Sequence, residues 1–288
     1  MLSGVALRAG DQHPATPSTG NARALVASIP FAPDAGGLIF ISVRLNGGKA
    51  GWWVLDSGAS ECIVDRAVAT TRNLGTRGSR EIHGAGTGTV RLDSIRGDVR
   101  LQLAGRSIRA CDQFGTVDLN STTSGVGREI AGVLGHEFFS RYIVRIDFRA
   151  HKIDLYDPAR YVYAGSGDTL ALRFVRKLPR VDVRIRTAHR PEIVRQLIVD
   201  TGSEDFVDDP SVRRSPRGPS VTVSTTGLGK SYEAVIGTLD TVWIGKSMFV
   251  KVPGVAAAVG IVGNGIWRDF VCVFDYRHSR MFIERVRP

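Results

Sequence analysis

Twice in this chain an apolar run ends in an aspartate, a hydroxyl residue and a glycine: "WWVLDSGAS" at 52–60 and "QLIVDTGSE" at 196–204. The aspartates, Asp56 and Asp200, are offset by 144 positions, and the same prelude precedes each. "LIFISVRL" (38–45) alternates apolar and polar residues, the period of a half-buried strand. "NGG" then marks a tight hairpin turn, and "AGWWVLD" returns to Asp56. In the second half "VDVRIR" (181–186) alternates likewise, "TAHRPE" turns, and "IVRQLIVD" returns to Asp200. A hairpin unit written twice, with its acidic residue in the same place, restricts the fold to architectures that hold two copies of it.

The repetition continues downstream. The Gly-rich segments "HGAGTGTV" (83–90) and "TTGLGKSY" (225–232) both lead into alternating strands, which end at "LAGRSI" and "WIGKSMF". "AGVLGHEFFSRYIVRIDFRAHKIDLY" (131–156) then aligns without gaps to "VGIVGNGIWRDFVCVFDYRHSRMFIE" (259–284), pairing Gly132 with Gly260, Gly135 with Gly263, Asp147 with Asp275 and Arg149 with Arg277. Two units are too few for a solenoid. The pattern predicts an all-β chain of two similar lobes related by a pseudo-two-fold, with Asp56 and Asp200 facing each other across a central cleft. Short helices are expected only after Gly135 and Gly263. The domain reading is a flexible tail over 1–22, a first lobe over 23–160 and a second over 161–288. The join lies in "LYDPARYVYAGSGD" (155–168), which Pro, Gly and Asp punctuate.

One D-[ST]-G tripeptide is an ordinary strand-ending turn. Two in matched settings, each followed by an apolar-apolar-Gly segment (Val133, Leu134, Gly135 and Ile261, Val262, Gly263), point to a working pair. Two carboxyls about 3 Å apart cannot both ionise, so they share a proton, leaving one base and one acid to activate a water between them. The neighbouring residues fit that purpose. Gly58 and Gly202 let the backbone turn tightly beside each Asp, and the Ser57 and Thr201 hydroxyls are placed to bond across to the opposite loop. The apolar-apolar-Gly strand would pack beneath each loop. Ser203 offers Asp200 a hydroxyl that Ala59 cannot offer Asp56. Asp200 is therefore expected to ionise more readily, and activity to extend toward mildly acidic or near-neutral pH.

Over roughly residues 27–286 these motifs give the chain a resemblance to aspartic proteases of the pepsin and retropepsin type. It is most similar to bacterial aspartyl-protease-like proteins, in which an "IPF"-type strand, an "NG" hairpin and "LDSGAS" come in this order. The resemblance implies a bilobal acid-protease fold with β-barrel-like lobes and endopeptidase activity on an extended peptide. Asp56 and Asp200 would be catalytic and Ser57, Gly58, Thr201, Gly202 and Ser203 would support them. The partner is then a peptide or protein substrate, and one chain holding both lobes implies a monomer. The chain departs from the pepsin pattern in its flap. "HGAGTGTV" has no Tyr, and both halves carry a Gly-rich candidate flap, Gly84, Ala85, Gly86, Thr87 and Gly88 in one, Gly227 and Gly229 in the other. Ala59 follows the retroviral pattern and Ser203 the pepsin pattern.

Rival readings are weaker. A peptide-binding or assembly module that kept the fold without catalysis would not need both aspartates and both hydroxyls. Other two-carboxylate hydrolases, such as glycosidases, hold their carboxyls at least about 5 Å apart. "GAGTG" resembles a dinucleotide fingerprint, but "TVRLDSIRGDVRLQL" follows it as alternating strands rather than a helix, so no cofactor is expected. The six His are dispersed with no H-E-x-x-H, so no metal is expected. "GHEFF" reads as a helix start rather than a catalytic His. The net charge of +10 comes with Arg residues scattered along alternating strands, a basic surface rather than a nucleic-acid site. Three cysteines without C-x-x-C leave two choices open, one Cys62–Cys111 bridge or three free thiols. No apolar run reaches the roughly 18 residues of a membrane span. With a signal peptide upstream of the present start the protein would be periplasmic or secreted, and otherwise cytoplasmic.

Overall fold

A computed structural model describes residues 19–33, 37–82, 89–120, 127–187, 190–214, 221–225 and 232–286. The protein is all-β, with three short α-helices among the described residues. "LIFISVRL" forms the strand Ile39–Leu45 and "AGWWVL" the strand Ala50–Leu55. The turn between them places Asn46 and Gly47 at φ 47° and 72°, the left-handed pair that a two-residue hairpin needs. In the second half Leu178–Arg186 pairs antiparallel with Ile193–Val199, with Arg180 opposite Ile198 and Ile185 opposite Ile193. Alternation dictates these strands: Val181, Val183 and Ile185 are buried while Asp182 and Arg184 face solvent.

The strands form three sheets. A ten-stranded sheet runs in the order Thr76–Ile82, Val90–Ile95, Phe114–Val117, Cys62–Asp65, Ile130–Leu134, Ala50–Leu55, Ile39–Leu45, Leu101–Leu103, Arg106–Ile108, with Ala32–Pro33 also pairing Ile39–Leu45. An eight-stranded sheet is ordered Arg173–Val175, Leu178–Arg186, Ile193–Val199, Ile261–Val262, Val207–Asp208, Ser247–Ala256, Tyr232–Ile244, Val221–Thr225. The two share one local pattern. Each returning hairpin strand pairs parallel with the apolar-apolar-Gly strand, Leu55 beside Leu134 and Val199 beside Val262. That strand pairs antiparallel on its other side, with Cys62–Asp65 in one sheet and Val207–Asp208 in the other.

A six-stranded sheet joins the halves. Its order is Leu25–Pro30, Lys152–Tyr156, Ile143–Asp147, Phe270–Asp275, Arg280–Arg285, Asp168–Ala171. The seam is the antiparallel pairing of Ile143–Asp147 with Phe270–Asp275, Val144 opposite Phe274. Above it one continuous apolar cluster includes Trp53, Phe138 and Phe139 from the first half and Trp267, Phe274 and Tyr276 from the second. Phe139 stacks on Tyr276 with ring centroids 5.3 Å apart. A buried Phe stabilises by about 1.5–3 kcal/mol relative to an exposed one, so these rings add to the strand pairing that joins the halves.

Helices His136–Arg141 and Asn264–Trp267 begin directly after Gly135 and Gly263, where they were expected. A third, Arg66–Thr71, was not expected. Asp65 caps it, its side chain accepting from Ala67 N and Val68 N, and that cap stabilises a six-residue segment too short to stand on propensity alone. Residues 1–18 of the expected tail lie outside the described residues. Thr19–Arg23 forms a 3-10 turn in which buried Asn21 donates to Val162 O (2.8 Å) and accepts from Val162 N (3.1 Å). Cys62 and Cys111 form a disulfide, and Cys272 is free and buried.

Candidate active site

Asp56 and Asp200 end their strands at the same level and are fixed the same way. Asp56 N donates to Leu134 O and Asp200 N to Val262 O, both at 3.0 Å. The loops that follow are cross-bonded. Ser57 N donates to Thr201 Oγ1 (2.9 Å) and Thr201 N to Ser57 Oγ (3.0 Å). Each hydroxyl then donates back across the divide, Ser57 Oγ to Val199 O (2.7 Å) and Thr201 Oγ1 to Leu55 O (2.8 Å). Both hydroxyl residues are fully buried. Four reciprocal bonds thus replace the water that these polar groups would otherwise need.

This lock brings the carboxyls of Asp56 and Asp200 within hydrogen-bond reach of each other. A Cβ on Gly58 would collide with the Asp200 carboxyl, and one on Gly202 with the Asp56 carboxyl. Only glycine allows the loops to approach so closely. Asp56 and Asp200 keep some exposed surface, so the pair is open on one side while protein crowds the others. Asp56 Oδ1 is nevertheless buried and receives no hydrogen bond from a described donor.

The surroundings of the two carboxyls differ. Loss of water pushes the Asp56 carboxyl well above its ordinary range, and the Asp200 charge pushes it further. Burial also raises Asp200, but its bond to Asp56 and the Gly202 N–H, 2.8 Å from Asp200 Oδ1, hold it down. Both carboxyls are thus raised as one interacting pair, Asp56 the more strongly, although the Gly58 and Ala59 N–H groups also act to lower it. The hydroxyl expected from sequence to act on Asp200 is engaged elsewhere. Ser203 Oγ accepts from Asp205 N at 3.2 Å, and no hydrogen bond joins it to Asp200 among the described residues.

Several neighbours were invisible in the sequence. Asn264, fully buried, donates through Nδ2 to Thr201 O (2.8 Å) and Gly37 O (3.0 Å), bracing the second loop from below. Its counterpart His136 packs its ring against Phe174 and Tyr276, and burial lowers its pKa. Tyr276 lies under the first loop with its hydroxyl 3.5 Å from Ser57 O. Burial raises its pKa strongly, and the charges of Asp56 and Asp200 raise it further, so it stays neutral. Asp208, nine-tenths buried, has an Oδ1 with no partner, and burial together with the charges of Asp205 and Asp200 raises its pKa to about 8. "FVDD" offers one signal, an acidic residue inside an apolar strand, that could have singled it out. The flap candidates Gly84, Ala85, Gly86, Thr87, Gly88, Gly227 and Gly229 lie outside the described residues. Trp53 is core, whereas Trp52 is exposed, with Arg128 5.0 Å from its ring.

A scan against protein-family models gives no match for this chain, and a search of curated proteins gives none either.

Proposed function

We propose that this chain is an aspartic endopeptidase. In this reading its two halves, 23–160 and 161–288, are the lobes of an acid-protease fold, and a peptide lies extended in the cleft between them. The observation that carries the reading is the cross-bonded pair of loops, which hold two buried carboxyls in mutual contact, both with raised pKa. The charged Asp200 takes a proton from a water lodged between the pair as that water's oxygen attacks the scissile carbonyl carbon. Asp56 gives its proton to the carbonyl oxygen, so the intermediate is a neutral gem-diol. Collapse returns one hydroxyl proton to Asp56, and the proton on Asp200 passes to the leaving nitrogen as the C–N bond breaks. The dyad ends as it began.

Burial supports this division of labour, since an acid that must stay protonated while its neighbour is charged needs a raised pKa. The test is cleavage of a mixed peptide library by the full chain, with and without pepstatin, a mimic of the tetrahedral intermediate. Inhibitable cleavage is expected. Peptide binding without cleavage between pH 3 and 8 would favour the binding-module reading instead.

A further inference from the structure

The ten-stranded sheet curls far enough for its two ends to meet around one cavity. Arg77 and Ile95 come from one end and Ser107 and Ile108 from the other, and all line a cavity of about 450 Å³. Two connections close its sides, 96–100 between the strands Val90–Ile95 and Leu101–Leu103, and 109–113 between Arg106–Ile108 and Phe114–Val117. The second is pinned in place, because the disulfide ties Cys111 to Cys62 in the middle of the sheet.

The floor is apolar, made by buried Ile95, Ile108 and Phe114. The rim is cationic, with Arg77, Arg96, Arg100 and Arg109 facing two carboxylates, Asp98 and Asp112. Asp112 is already held by Arg109 (2.8 Å) and Arg141 (2.5 Å). The side chains of Arg77, Arg96 and Arg100 have no hydrogen-bond or ion-pair partner among the described residues. Arg66, by contrast, is held by Asp93 (2.6 Å). Four guanidinium groups around two carboxylates leave an excess of positive charge, and a planar fork of donors is the group best suited to an oxyanion. Pockets of this volume at the mouth of a curled sheet suit small organic ligands.

We propose that this cavity binds a small organic anion, a phosphate or carboxylate carried on an apolar body, at a site independent of the Asp56–Asp200 pair. The oxyanion lies against Arg77, Arg96 and Arg100, and the body covers Ile108 and Phe114.

The probe is 1-naphthyl phosphate, titrated calorimetrically into the full chain at low salt. One site is expected, with a Kd on the order of 0.1 mM, weakening as salt rises. Inorganic phosphate lacks the apolar body and 1-naphthalenemethanol lacks the charge, so each should bind at least about tenfold more weakly. Arg96→Gln with Arg100→Gln should weaken the probe by about tenfold or more. The same charge change at Arg190→Gln with Arg277→Gln should change it less than about threefold, which separates a local site from the general positive charge. Equal affinity for the neutral alcohol or for bare phosphate would overturn the proposal, as would unchanged binding by Arg96→Gln/Arg100→Gln.

Discussion

The two Asp loops are the same in backbone and unlike in charge. Each is hung from its apolar-apolar-Gly strand by a 3.0 Å bond, and each gives and receives the same hydroxyl bonds. Around that common frame the side chains differ. In the first half Glu61 is neutralised by Arg80. At the matched place in the second half stands Asp205, with no basic partner among the described residues and with buried Asp208 near it. His136 starts one helix and Asn264 the other; both backbone N–H groups bond their loops, but among the described residues only the Asn side chain does so as well. A symmetric scaffold can hold two carboxyls together, but a proton has to sit somewhere. The surroundings of the two carboxyls are unequal, and burial with the Asp200 charge raises Asp56 the more strongly.

The comparison breaks most sharply if the symmetric pair proves dispensable. Asp56→Asn and Asp200→Asn should each lower kcat by at least about 10³-fold, because either leaves one titratable carboxyl where acid and base are both required. Urea midpoints should change little. Parent-like turnover by either variant would remove the pair from the mechanism.

Asp208 tests the asymmetry through stability. The folded protein keeps its proton up to about pH 8, whereas the unfolded chain releases it near the ordinary value of 3.8. Its contribution is therefore complete below about pH 4 and is lost as pH rises to about 8, a difference on the order of several kcal/mol. Asp208→Asn carries no such titration. Relative to the parent it should gain stability between pH 4 and pH 8, as read by urea unfolding at both. Parallel pH dependence of the two proteins would mean that Asp208 is not held neutral.

The shared frame predicts equality where the charges predict difference. Ser57→Ala and Thr201→Val each leave two buried partners unmet and should cost about 1–3 kcal/mol apiece in urea unfolding, with similar values at the two sites. A difference beyond about 2 kcal/mol would show that the frame is less symmetric than its bond lengths.

The smallest effect is expected from Ala59→Ser. The hydroxyl at the matched Ser203 is bound to its own loop through Asp205 N rather than to Asp200. A Ser at 59 should therefore move the limbs of the pH–activity profile by less than about half a unit. An acid shift of a full unit would show the new hydroxyl reaching Asp56.

Much of this site could be read from sequence because its signals are local. Period-2 alternation located the hairpins, Asn46-Gly47 fixed the turn, and paired Asp-hydroxyl-Gly words located the loops. What could not be read depends on distant partners. Whether Cys62 meets Cys111 turns on how 49 residues fold back. The neutral state of Asp208 is set by what surrounds a two-residue strand, and the role of Tyr276 by its position under a loop of the other half. The cap on Arg66–Thr71 was local and went unread because the helix it starts is only six residues long.

The seam of the six-stranded sheet has a consequence for how such a molecule could be switched. The halves meet through hydrogen bonds and aromatic stacking, and covalently only through the chain around 157–167. Severed there, each fragment would bring a single aspartate and half of the hydroxyl lock. Neither alone could hold a proton between two carboxyls. Mixed together, they would recover chemistry only by docking, so the same lock that aligns the pair makes it a two-input gate.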